Sequence, residues 1–160
     1  MPGFNPENYK MFLILTVTLL LNVIVTAQPL SLKVLVTDIQ HTGDTVRVLL
    51  WKGEKGFPRE KEYCFRKKSS RATSDTALII FNHLEPGDYA VSCFYDENSN
   101  RKYDRSFFRQ TAEPFGLSGH PDYKHLPVTY QDAHFVINKD KQQIEIPLHY
   151  IKEAQNLLKR

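Results

Sequence analysis

Apolar residues recur at every second position through most of this chain, and a period of two is the mark of a half-buried strand rather than a helix. "LSLKVLV" sets Leu30, Leu32, Val34 and Val36 against Ser31 and Lys33. "TVRVLLW" puts Val46, Val48 and Leu50 on one side and Arg47 on the other. "EYCFRK" predicts a short third strand, and "KKSSRATSD" a polar connection after it. "TALIIF" predicts a fourth strand, apolar enough to be covered on both faces. A Pro-Gly turn then opens "DYAVSCFYD", with Tyr89, Val91 and Cys93 facing one way. Near the end, Ala133, Phe135 and Ile137 alternate in "DAHFVIN", and Ile144, Ile146 and Leu148 in "QIEIPLHY". The turn "KDK" between these two runs predicts a hairpin. Short strands, regular turns and no long amphipathic helix in the body predict an all-β fold. The form expected is a single antiparallel β-sandwich of about seven strands.

With 160 residues there is room for one domain. Its start reads differently from the rest. Met11 to Val25 is an uncharged apolar run, and "VTA" (25–27) supplies the modest residues a signal peptidase needs. The expected organisation is a signal peptide over 1–27, a sandwich domain over 28–150, and a tail or short helix over 151–160. An uncleaved anchor is the alternative, but the run is short for a membrane span and no basic stop-transfer cluster follows it. The expectation is therefore an exported protein, periplasmic or secreted, with no stable membrane span after cleavage. In an oxidising compartment Cys64 and Cys93 can pair; the other reading is two small buried apolar side chains. A formal charge of +3 is too small to argue for nucleic acid.

The chemistry concentrates in "FYDENSNRKYD", 94–104. Counting Asp96 as position one, Asn98 stands at three, Asn100 at five and Asp104 at nine. A hard divalent cation takes six to eight oxygens, and a loop with Asp or Asn at its odd positions can turn several toward one centre. The first three positions match the opening of the helix-loop-helix calcium pattern. The rest departs from it. Arg101 replaces the glycine of the sharp turn, Phe107 stands where a bidentate Glu closes the shell, and a strand precedes the loop. A calcium loop at a strand end therefore needs a carboxylate from elsewhere; Glu113 is the obvious candidate and Glu97 another. The rival reading is an Asx-rich turn whose side chains bond nearby amides, with Arg101 salt-bridging Asp96 and Asp104 in place of an ion.

From Glu97 to Tyr130 no clear strand is visible. Tyr103, Phe107, Phe108, Phe115 and Tyr123 fall in this stretch. Such a density of rings forms a docking face for a sugar or peptide, or else pins a long loop onto the sandwich. Elsewhere the signals are weak. His120, Asp122 and His125 lack an obvious further zinc ligand. Ser118 has no complete nucleophile-elbow spacing, and there is no glycine-rich phosphate loop.

Taken together, "LEPGDYAVSCFYDENSNRKYD", "AEPFGLS", "TYQDAHFVI" and "IEIPL" resemble the bacterial exported family known as domain of unknown function 2141. The resemblance covers nearly the whole chain after the apolar run. Asp96, Asn98, Asn100 and Asp104 match its loop. Glu113, Gly116 and Ser118 match its Glu-x-x-Gly-x-Ser segment, and Ala133 and Phe135 its last-but-one strand. Arg101 departs from a frequent Gly, and Leu117 from a frequent Phe. The resemblance implies an immunoglobulin-like or transthyretin-like β-sandwich. Its biochemical role is not established.

The leading expectation is a non-enzymatic module of the cell envelope. Calcium would organise the loop, which presents a surface to an envelope protein or a glycan. A metal-free structural protein is the alternative. A carbohydrate-binding module or carbohydrate-active enzyme using Asp96 or Glu113 ranks third.

Overall fold

The computed structural model describes residues 28–104, 113–123 and 127–150. Eight strands and one helical turn follow in order: β1 Leu30–Thr37, β2 Thr45–Trp51, β3 Arg66–Arg71, β4 Ala77–Leu84, β5 Gly87–Asp96, β6 Phe115–Leu117, α1 Tyr130–Ala133, β7 Phe135–Ile137 and β8 Gln142–Pro147. They form the two sheets of a β-sandwich, one ordered β4-β1-β8 and the other β3-β2-β5-β6. β7 pairs with β5 at Gly87–Tyr89, on the stretch that precedes the β6 pairing at Ser92–Phe94. The apolar run of 11–25, Phe107, Phe108, His125 and the 151–160 tail lie outside the described residues.

The period-two pattern carries this arrangement. β1 alternates buried and half-buried positions along its whole length. Its Leu32, Val34 and Val36 meet Val46, Val48 and Leu50 of β2 between the sheets, together with Phe81, Val91, Tyr95 and Ile146. Burying such a side chain contributes about 1.5–3 kcal/mol, so this alternation is the main force joining the layers. The other face of β2 forms a second, smaller cluster: Leu49, Trp51, Ala90, Tyr130 and Ala133, with Phe57 and Cys64 packed against it. β5 sits between the two clusters, which is why eight consecutive side chains from Tyr89 onward cannot alternate outward: Tyr89 to Asp96 are all buried.

Four expectations need correcting. The third strand is the polar "RKKSSR", not "EYCFRK". β3 is an edge strand paired only with β2, so it needs no apolar alternation. Its Arg66 donates to the Asn82 and His83 carbonyls and its Lys68 to that of Ile80, which closes the seam toward β4 with cations. β4 is covered on one face only, and Leu78 (50%) and Ile80 (37%) remain exposed. The two last strands are not a hairpin. β8 runs parallel to β1, with Val34 opposite Ile144, while β7 joins the other sheet. Asp140 between them accepts hydrogen bonds from the Ser31 amide and hydroxyl, which redirects the chain onto β1. The sandwich is thus antiparallel except for this one pair, and Ala133 lies in α1 rather than in a strand.

The cysteine pair is the fourth. Both thiols are free. Cys93 points into the core between the sheets and Cys64 packs on the cluster across β2, so a sheet separates the two clusters they belong to. Burial pushes the Cys93 thiol up to about 12, which keeps it protonated and inert.

Candidate functional site

β5 ends on Asp96, and the chain then folds back on this residue. The Asp96 side chain is fully buried. Its Oδ2 accepts from the Arg47 Nε and from the Arg101 amide at 3.1 Å. Its Oδ1 is buried and has no hydrogen-bond partner among the described residues. Asn98 and Asn100 make Asx turns, their Oδ1 atoms accepting from the amides of Asn100 (3.0 Å) and Lys102 (2.7 Å). Their Nδ2 groups converge on Asp104 Oδ2 at 2.5 and 2.6 Å. Glu113 closes the loop: Oε1 accepts from the Glu97 amide and Oε2 from the Asp104 amide. The four residues singled out by spacing and Glu113 therefore join one network. Ser99 and Arg101 stand at positive φ, 60° and 65°, which is where the sharp turns fall.

The cation in this network is one the loop sequence does not contain. Arg47 comes from β2, where it lies opposite Phe94, and it reaches Asp96 diagonally along the same face. Arg101 contributes its backbone, not its guanidinium. Neither an Arg101–Asp104 ion pair nor one from Arg101 to Asp96 is present among the described residues. The sign of Arg47 was in the sequence, as the single charged residue within an otherwise apolar strand, but its partner was not.

Charge in the site is unbalanced. Burial holds the Glu113 carboxyl up at about 7, and the negative charges of Asp104 and Asp96 push the same way, against two backbone hydrogen bonds. One guanidinium thus faces three carboxyl groups. Among the described residues no group of three or more His, Cys, Asp or Glu side chains is arranged to hold a metal ion by itself. Any ion here has to take Asn side-chain or backbone oxygens as well.

Among the described residues, the rings of this stretch pack on one another, as the pinning reading has it. Tyr103 lies edge-on to Phe94 and to Phe115, with centroids 5.9 and 5.8 Å apart. Phe115 continues to Tyr123 at 5.1 Å, and Tyr123 stacks on His149 at 4.8 Å. The Tyr123 hydroxyl accepts from the Leu117 amide. His149, two residues past β8, completes this chain of rings. It runs from β5 over β6 to the end of β8 and fastens the loop to the sheet.

Beneath it the Glu-x-x-Gly-x-Ser segment has a structural explanation. A Cβ on Gly116 would stand 2.6 Å from Ile146 Cγ2 and 2.8 Å from the Pro147 carbonyl, so only glycine fits between the sheets there. Ser118 Oγ accepts from the Val91 amide at 2.8 Å and donates to the Ala133 carbonyl at 2.6 Å.

A family model described as an uncharacterized protein conserved in bacteria, domain of unknown function 2141, matches residues 34–145. The chain belongs to this family. The matched span runs from within β1 to within β8 and takes in every residue of the Asp96–Glu113 network. No curated protein matches the chain. Among solved structures, a fimbrial assembly protein from Parabacteroides distasonis ATCC 8503 is similar at 10% identity and a TM-score of 0.38, over 77% of this chain and 53% of that one. The similarity thus takes in about half of the neighbour's length.

Proposed function

We propose that the chain is an exported, non-enzymatic β-sandwich module, in which calcium organises the Asp96–Asp104 loop and Glu113, and the loop in turn sets a binding surface on the outer face of the larger sheet. The observation that carries this reading is Asp96 Oδ1: a buried carboxylate oxygen without a partner, in a network where one guanidinium faces three carboxyl groups. A buried oxygen of that kind is costly unless something electropositive meets it. A divalent ion would meet it, relieve the repulsion that raises Glu113, and hold the loop in one conformation. Asp96, Asp104, Glu113 and the side-chain oxygens of Asn98 and Asn100 would supply its ligands. Export is read from the apolar run of 11–25.

A second reading has its own observation. Arg47 already neutralises Asp96, and the Asn98 and Asn100 amides already satisfy Asp104, so the loop also closes without an ion. Thermal unfolding in millimolar calcium, in magnesium and in chelator separates the two. Calcium should raise the melting midpoint where magnesium does not, because the site is irregular and Mg²⁺ demands a small octahedron. Asp104→Asn, on a half-buried position, should abolish the rise. A midpoint indifferent to calcium would overturn the ion and leave the Arg47 clamp.

A further inference from the structure

The outer face of the larger sheet carries a groove of about 540 Å³ that the loop network does not use. Its floor is Leu49 of β2 and Phe94 of β5, and its walls carry Arg47, Lys61, Lys67 and Arg101. Lys68 also lines it, but its ammonium is committed to the Ile80 carbonyl. Thr45 and Ser69 add hydroxyls, and among the described residues no acidic one lines the groove. The Lys61 ammonium donates to the Arg101 carbonyl at 2.9 Å, so the 52–65 segment and the Asp96–Asp104 loop meet over the sheet and make the surface concave.

The cations are placed to receive a ligand rather than one another. Arg47 spends Nε on Asp96, and its two terminal nitrogens have no hydrogen-bond partner among the described residues. The Lys67 ammonium and the Arg101 guanidinium have none either. Lys67 lies beside Leu49 and Ser69 beside Arg47 across the β2–β3 pairing, so guanidinium, ammonium and hydroxyl share one face. A cleft lined by one sign of charge focuses its field on a counter-ion, and a guanidinium matches the two oxygens of a carboxylate or phosphate. Volumes of about 300–1,000 Å³ suit small-molecule ligands.

We propose that this groove binds a sugar-sized ligand bearing an oxyanion, either carboxylate or phosphate, with its ring over Leu49 and Phe94 and its charge between Arg47, Lys67 and Arg101. This rests on the binding-module reading; Arg47, Leu49, Lys67 and Phe94 stand on strands, and of the proposed contacts Arg101 alone comes from the loop that calcium would order.

The test is titration of the purified protein with glucuronate, glucose 6-phosphate and glucose, by calorimetry and by amide chemical shifts, in calcium and again in chelator. One or both anions should bind, shifting the amides of Arg47, Ser69 and Phe94, and glucose should not. Binding of one anion alone tells which oxyanion the groove selects. Lys67→Gln and Arg101→Gly should each weaken binding about tenfold, the size expected for losing a charge-assisted hydrogen bond. Both positions are exposed, so circular dichroism should show each variant folded. The inference is overturned if neither anion binds, if glucose binds equally, or if both variants keep full affinity. Should the anions fail while calcium still raises the melting midpoint, the groove assignment falls and the calcium loop stands.

Discussion

Arg47 on β2 pairs with Asp96 at the end of β5, and this ion pair joins the sheet to the loop that follows it. Asp96 is fully buried, while Arg47 keeps a fifth of its side chain in water. Removing the guanidinium would strand a carboxylate that has one orphan oxygen already.

Arg47→Met should therefore lower unfolding free energy by about 2–3 kcal/mol, short of the full cost of breaking a wholly buried pair. Asp96→Asn in the same chain should recover part of that loss, since the amide needs no counter-charge. Denaturant unfolding of the two single variants and the double variant measures the coupling. Calcium, if it occupies the loop, should rescue Arg47→Met more than the wild type.

Glu113 gives the pH dependence. Its folded carboxyl titrates at about 7, above the ordinary 4.5, so the folded state holds its proton more tightly than the unfolded chain does. Its contribution to stability is then fully present below 4.5 and is lost as pH rises through about 7. Glu113→Gln, which keeps an acceptor for one of the two amides and carries no charge, should flatten stability over that window. It should leave the variant the more stable chain at mildly alkaline pH. Denaturant midpoints across the range test this; a slope unchanged by the substitution would show that other groups set it.

Where the period of two was strong, the sequence described the sandwich well. β1, β2 and β5 fall where alternation placed them, because each buries one face against a second sheet. Legibility failed where strands lacked that reason to alternate. β3 is an edge whose Arg66 and Lys68 serve the seam, and a three-residue β6 gives no period to read. Pairing partners were harder still: nothing local says that "QIEIP" lies parallel to β1, since Asp140 and Ser31 meet only in the fold. The loop's hydrogen-bond network was legible because Asp96, Asn98, Asn100 and Asp104 sit close together in sequence. Arg47 was not, because its contact with Asp96 spans 49 positions.

Ser118 ties three elements at one hydroxyl. Ser118→Ala would leave the Val91 amide and the Ala133 carbonyl buried with a bond missing from each. The expected loss is about 1–3 kcal/mol. Gly116→Ala acts by a different route, forcing Ile146 and the Pro147 carbonyl aside, and should cost about 1–3 kcal/mol or more as overpacking. Both should appear in denaturant curves with unchanged slope, and neither should alter a calcium-dependent midpoint shift.

The last prediction concerns Arg101, whose backbone and side chain pull in opposite directions. Its φ of 65° is one that residues with a Cβ adopt at a cost, while glycine adopts it freely. The amide that donates to Asp96 survives any substitution except proline. Arg101→Gly should therefore stabilise the fold by up to about 1 kcal/mol, less the added freedom of glycine in the unfolded chain. Arg101→Ala keeps the strain and loses the same guanidinium. The two variants should differ in melting midpoint, with glycine the higher, yet lose the same amount of anion binding in the groove. Equal midpoints would show that the turn carries no strain at this residue. A glycine variant less stable than alanine would show that the freedom glycine gains in the unfolded chain outweighs the strain it relieves.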